Sequence, residues 1–170
     1  MTVVELRDIV TQDDKAAVLR LRRGPGQDRY LGSMESHFED AATDAKACPR
    51  MWSIHDRESG ELVGFVMISD DIPQATLDAE PDYVGPYFLW RLLIDRTFQG
   101  RGYGRATLDA VAEYVRGRPN GEVLYSSCAT GDGSPMPFYL RYGFNRTERV
   151  ADGEDVLRLE LRPDSTGDGR

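Results

Sequence analysis

The chain has 170 residues, room for one domain of ordinary size and not for two. Its hydrophobic fraction of 40% supports a real core, which excludes wholesale disorder. Lys and Arg number 21 against 29 Asp and Glu, and the resulting formal charge of −8 disfavours a phosphate-coating nucleic-acid binder while suiting a cationic small molecule.

Cys48 and Cys128 lack CxxC spacing, and His37 and His55 stand alone, so neither a disulfide framework nor a metal site is expected. Both histidines read as structural, since neither sits beside a nucleophile. Glu5, Arg7 and Asp8 interrupt the first ten residues, which therefore lack a signal-peptide core. The most apolar segment, residues 87–94, is too short to span a membrane. A cytoplasmic, metal-free protein with no membrane or nucleic-acid partner is the expectation.

Residues 3–7 predict a first strand, and Asp13 or Asp14 is expected to cap a helix with Ala17, Val18 and Leu21 on one face. Residues 22–27, with Gly24, Pro25 and Gly26, form a loop. Ser33 then caps a second helix running to about Ala45, with Met34, Phe38 and Ala41 at helical spacing. Segments 51–55 and 62–69 flank a turn-rich link and predict an antiparallel hairpin. The stretch 70–82 holds Asp70, Asp71, Asp78, Glu80 and Asp82 with no base, and reads as a solvated loop.

Residues 87–94 are almost continuously apolar, as in a strand covered on both faces. After a glycine-rich turn, Leu108, Val111, Ala112 and Val115 mark an amphipathic helix that closes near residues 117–119. Residues 123–128 predict a strand, 131–137 a loop, 138–142 a short helix ended by Gly143, and 156–161 a last strand. A single domain over 1–162 with a flexible tail at 163–170 follows.

Chemistry concentrates where the strand at 87–94 meets Gln99-Gly100-Arg101-Gly102-Tyr103-Gly104 and the next helix. Glycines at alternate positions let backbone N–H groups turn inward, and a helix N-terminus adds positive dipole; together they cradle an anion such as pyrophosphate. Arg105 stands where a dinucleotide GxGxxG needs glycine, and no Gly-Lys-Ser/Thr follows for a P-loop.

Gln99, Gly102 and Gly104 meet the Q/R-x-x-G-x-G/A signature of the GNAT superfamily of N-acetyltransferases, and Phe138-Tyr139-Leu140-Arg141-Tyr142-Gly143-Phe144 resembles its F-Y-x-x-x-G-F motif. The resemblance extends over most of the chain. The runs at 88–95 and 27–33 are most similar to the bacterial spermine/spermidine acetyltransferase branch. Gly32 and Trp90 stand where polyamine-acetylating relatives commonly carry acids, which leaves a different or broader amine substrate open.

The resemblance implies an α/β fold with a mixed, mostly antiparallel sheet of six or seven strands and flanking helices, splayed between the strand ending at Ile94 and that at 123–128. Acetyl-coenzyme A would enter the splay as acetyl donor, its pantetheine along Leu92, Leu93 and Ile94 and its pyrophosphate around Gln99, Gly100, Arg101, Gly102, Tyr103, Gly104 and Arg105. Tyr139 matches the tyrosine that protonates the departing thiolate, a task suited to a phenol. Asp132 and Pro135 depart from a common N-x-x-A; Asp132, Ser134 and their neighbours are expected to replace an amide contact with backbone donors, or Ser134 simply caps the helix. A backbone N–H near Leu92 is the expected oxyanion donor.

Glu35, Glu39, Asp70 and Asp71 are candidates for activating the amine, and Tyr30 and Trp90 for walling an ammonium or alkyl chain. Cys128 is the rival nucleophile, without a histidine partner. The expected reaction is direct acetyl transfer to a primary amine, with a small-molecule amine as partner and a homodimer compatible with the family. An aminoglycoside-type or protein amine remains an alternative acceptor, and a non-catalytic acyl-coenzyme A sensor an alternative function.

Overall fold

Seven strands and five α-helices make up residues 1–161, which the computed structural model describes; the tail expected to be flexible lies outside them. Strands β1 (Val4–Asp8), β2 (Pro49–Asp56), β3 (Leu62–Asp70), β4 (Tyr87–Ile94), β5 (Val123–Cys128), β6 (Asn145–Ala151) and β7 (Glu154–Glu160) form one sheet in the order β1-β2-β3-β4-β5-β7-β6. Every neighbouring pair is antiparallel except β4 and β5. No helix among the described residues is long and apolar enough to cross a membrane.

Because β3 is buried along nearly its whole length, the sheet must be covered on both faces. Helices α1 (Gln12–Leu19) and α2 (Met34–Thr43) cover one, where Val18 and Met34 pack with Phe65, Met67 and Leu93. Helices α4 (Tyr103–Arg116) and α5 (Met136–Tyr142) cover the other: Leu108, Val111, Ala112 and Val115 meet Val66, Ile68 and Leu89. These four α4 residues are the stripe that the helical spacing predicts.

Four local expectations change. Thr11, not Asp13 or Asp14, caps α1: its hydroxyl accepts the Asp14 N–H while the Asp14 carboxylate accepts the Thr11 N–H, a reciprocal capping box. Helix α3 (Gln74–Ala79) interrupts the acidic stretch read as loop. Helix α4 starts at Tyr103, inside the glycine turn. Strand β6 is an extra edge strand that alternation does not reveal, because most of its residues are exposed and its backbone pairing to β7 suffices.

Asp70 closes β3 onto α4. Its side chain, only 10% exposed, accepts from the Tyr114 hydroxyl at 2.6 Å and from Arg118 Nε at 3.1 Å, with Arg50 Nη1 at 3.5 Å. Arg50 also donates to the Tyr114 hydroxyl at 2.6 Å and lies over the Trp52 ring. Asp71 lies 4.0 Å from Arg118, so both acids belong to a clamp between sheet and helix. Asp70→Asn should remove the charge-assisted part of this clamp and lower the unfolding free energy by about 2–3 kcal/mol. Urea unfolding would show a lower midpoint at unchanged slope.

Candidate active site

The site begins with a mismatch in β4. Met67 of β3 pairs with Arg91 and Ile68 with Leu89, so Trp90 is an extra residue and the strand bulges there. On its other edge β4 pairs with β5 only through Phe88 with Tyr125 and Leu89 with Ser126, and Ser126 Oγ adds a bond to the Leu89 carbonyl at 3.0 Å. Past Leu89 the strands part, and the β4 backbone facing β5 borders an open cleft of about 560 Å³. The bulge lies two residues before Leu92, the position expected to supply a free N–H.

Gly100 and Gly102, at φ of +75° and +87°, turn the chain from β4 into α4 at one end of the cleft. Gly102 precedes the first turn, and the first intrahelical bond runs from Ala106 N–H to the Gly102 carbonyl at 3.0 Å. The N–H groups of Tyr103, Gly104 and Arg105 precede that bond and lack an intrahelical acceptor, which with the dipole of a 14-residue helix gives an anion site. Gly104 lines the cleft and has a packing role as well: a Cβ there would meet Phe138 Cζ at 3.1 Å, so its lack of side chain lets α4 approach α5.

The remaining donor-side residues divide. Leu92 and Ile94 line the cleft, whereas Leu93 is buried under α1 and α2. Gln99 lines it and anchors it, donating to the Ile94 carbonyl and to Gln27 Oε1, both at 2.9 Å. Tyr103 and Arg105 border it; the Tyr103 hydroxyl donates to Asp56 at 2.9 Å and Arg105 lies over the Tyr142 ring. Arg101 turns away, over the Phe98 ring, and its carbonyl accepts from Thr2.

Asp132 and Ser134 do not line the cleft, although Gly133 and Pro135 between and beyond them do. The Asp132 carbonyl accepts from the Tyr30 hydroxyl at 2.7 Å, which straps the loop before α2 to the loop after β5. Ser134 Oγ accepts the Met136 N–H at 3.1 Å and donates to the Ala129 carbonyl at 2.5 Å, so it braces the start of α5. Tyr139, on that helix, is 8% exposed and borders the cleft, its ring against Phe138 and Phe144. Burial holds its phenol well above the ordinary range, and the charges of Cys128 and Glu154 push the same way. Cys128 lines the cleft as well, its thiol raised by burial and therefore a poor nucleophile.

A second cavity of about 540 Å³ adjoins the first through Trp90, Arg91, Ser127 and Glu154, which border both. Asp40, Asp44, Glu80, Asp82, Asp152 and Glu154 line it, against Arg91 as its basic side chain among the described residues. Arg91 is itself spoken for: it lies 3.4 Å from Asp40, and its Nε donates to His37 Nδ1 at 3.2 Å. His37 is fully buried, and burial with the Arg91 charge pushes it down to about 4, so it stays neutral as the acceptor of that bond. Trp90 Nε1 donates to Ser69 at 2.6 Å.

The acids expected at the acceptor side are elsewhere. Asp70 and Asp71 sit in the clamp described above, Glu39 is exposed, and Glu35 faces an open groove with Arg22, Arg23 and Arg96. Tyr30 lines the cleft between β4 and β5 rather than the acidic cavity. The structure instead brings together Asp40, Asp44, Asp152 and Glu154, none read from sequence as site residues. The signal available for Glu154 is the Asp152-Gly153 turn, which starts β7 with φ of 49° and 76° and brings that strand back beside β5.

Residues 16–144 match the family model described as Acetyltransferase (GNAT) family. Spermine/spermidine N(1)-acetyltransferase of Bacillus subtilis is 30% identical over 153 residues, covering 89% of this chain and 95% of that one. Among solved structures, an acetyltransferase from Thermus thermophilus superposes with a TM-score of 0.65 at 21% identity, covering 93% and 97% of the two chains. A chimera of Vibrio cholerae spermidine N-acetyltransferase SpeG and hSSAT gives 0.63 at 16% identity, covering 93% and 95%.

The anion cradle is testable through its backbone. A Cβ at Gly102 has ordinary space, its nearest neighbour being Thr2 at 3.5 Å, but φ of +87° penalises any L side chain. Gly102→Val should therefore tilt the free amides and weaken coenzyme A binding on the order of tenfold, matching a left-handed penalty of about 1–2 kcal/mol. Isothermal titration measures it, and unchanged affinity in the folded variant removes the cradle assignment.

Proposed function

The chain belongs to the acetyltransferase (GNAT) family, and from that membership we propose that it carries acetyl from acetyl-coenzyme A to a primary amine of a polyamine. The acidic cavity opening onto the donor cleft carries this reading: of its six carboxylates Asp40 is paired with Arg91 and Glu80 with Lys46, and the other four form a trough for an elongated polycation. The polyamine acceptor named for the Bacillus subtilis relative points the same way.

Acetyl-coenzyme A is a substrate, and the cleft suits its parts. The free amides at the start of α4 would receive the pyrophosphate, while the unpaired edge of β4 past Leu89 would lie beside the pantetheine and present backbone donors to a carbonyl oxygen gaining charge. Tyr139 supplies a hydrogen bond, and then a proton, to the sulfur as the thioester breaks. Because burial makes its phenol hold the proton more tightly than a thiol does, transfer to the thiolate runs uphill. Its benefit should lie at the low end of the usual acid-catalysis range.

Two outcomes follow. Tyr139→Phe keeps the ring packing, so coenzyme A affinity should hold while turnover drops about 100-fold, the lower end of general-acid effects. Near-full turnover, with chemistry rate-limiting, makes Tyr139 structural. In a free-thiol assay over an amine panel, di- and polyamines should outperform neutral-tailed monoamines, and their KM should rise with salt as the carboxylates are screened. Equal use of monoamines without salt dependence defeats the polyamine reading; coenzyme A binding without turnover of any amine makes the protein a sensor.

A further inference from the structure

An amine of ordinary basicity is almost wholly protonated at neutral pH, so acetyl transfer needs a group that takes its proton where the acceptor meets the donor. That meeting place is the boundary between the two cavities, and four residues border both: Trp90, Arg91, Ser127 and Glu154. Trp90 and Arg91 have no basic atom free for the task, and Ser127 is a donor here. Glu154 is the carboxylate that touches both spaces among the described residues. We propose that Glu154 is the general base for the amine, held in place by Ser127.

The supporting geometry is local. Ser127 Oγ donates to Glu154 Oε2 at 2.6 Å, which fixes one carboxylate oxygen and leaves the other for substrate. Val156 pairs with Ser127 in the β5/β7 ladder, so the first residue of β7 is held against the end of β5 by strand pairing rather than by a loop. The other acids of the cavity fail on position or occupation. Asp40 faces Arg91, Asp44 accepts from the Tyr83 hydroxyl at 2.5 Å, and Glu80 holds Lys46 at 2.5 Å. Asp82 and Asp152 border the acidic cavity alone. The charged and titratable groups around Glu154 are Arg91 from β4, Cys128 from β5, Tyr139 from α5, and Asp152 and Asp155 on its own hairpin.

The step balances as follows. Glu154 accepts one proton from the substrate ammonium and passes it to water in the acceptor cavity. The freed nitrogen forms a C–N bond to the acetyl carbonyl carbon, and the C–S bond breaks. As that bond breaks Glu154, already relieved of the first proton, takes a second from the nitrogen and passes it to water, while Tyr139 gives its proton to the sulfur and regains one from water, so each turnover yields amide, thiol and one released proton.

This inference rests on the acetyl-transfer reading, and the test separates the two. The amine used is the best acceptor of the wild-type panel, so a preference for a non-polyamine corrects the substrate class without touching Glu154. Glu154→Gln keeps the shape and the Ser127 bond. At pH 7 its kcat should fall 100- to 10,000-fold with acetyl-coenzyme A affinity unchanged by titration. The loss should shrink about tenfold per pH unit towards the acceptor's own pKa, because free amine then arrives without help. Glu154→Asp should recover part of the rate, and Ser127→Ala should shift the acid limb of the wild-type kcat profile while binding is kept. An unchanged kcat with a raised KM makes Glu154 a charge-recognition residue, and a pH-independent loss makes it structural; either overturns the proposal. A wild type inert on every amine overturns the transfer reading and the base together.

Discussion

The structure turns on how little of β4 is joined to β5. A parallel junction of two residue pairs, Phe88 with Tyr125 and Leu89 with Ser126, is all that links the two halves of the sheet through strand pairing. Each strand is committed on its other edge: β4 pairs with β3 down to Ile94, and β5 pairs with β7 over its full length. Neither can turn to meet the other without giving up a ladder. The extra residue at Trp90 sits where the strands part, so the opening is built into the register rather than left to a flexible loop.

Both chemical ends of the cleft inherit their positions from that junction. At one end, the chain leaving β4 turns through glycine into α4. Asp95 holds that exit: its carboxylate accepts the Thr97 N–H at 2.9 Å and the Arg22 N–H at 2.8 Å. Burial alone would raise the Asp95 carboxyl, yet these bonds to its charged form keep it below its ordinary value. At the other end, α5 carries Tyr139 beneath Phe138, and the contact between Phe138 and Gly104 locks α5 to α4. The free amides at the start of α4 and the tyrosine on α5 are therefore held at a fixed spacing by one helix pair.

Much of this is legible from residue pattern alone, for physical reasons. A strand buried on both faces advertises itself as a continuous apolar run, and β4 matches its expected bounds at both ends; β5 does so too. Strand β6 is hidden because an edge strand with solvent on its sides needs no apolar side chains. The glycine motif was legible because φ above zero restricts residue type, although Gly104 answers to packing instead. Carboxylates are the hard case, since sequence shows their charge and not their direction. Asp70 ends a buried strand and turns toward Arg50 and Arg118, which satisfy it within the sheet–helix clamp.

Glu154 illustrates why the acceptor side resists reading. In sequence only the Asp152-Gly153 turn marks it, between an exposed edge strand and a core strand. Only the antiparallel pairing of β5 with β7 carries it to the mouth that the β4/β5 parting creates. Tyr139 reaches the same mouth from the α5 side, out of water, while Glu154 is half-exposed beside the acidic cavity. A donor that must keep its proton until a sulfur demands it belongs in the dry position. A base that must shed its proton after each turnover belongs beside water. The splayed sheet puts Tyr139 and Glu154 on the border of a single opening, where the amine of the proposed reaction would meet both.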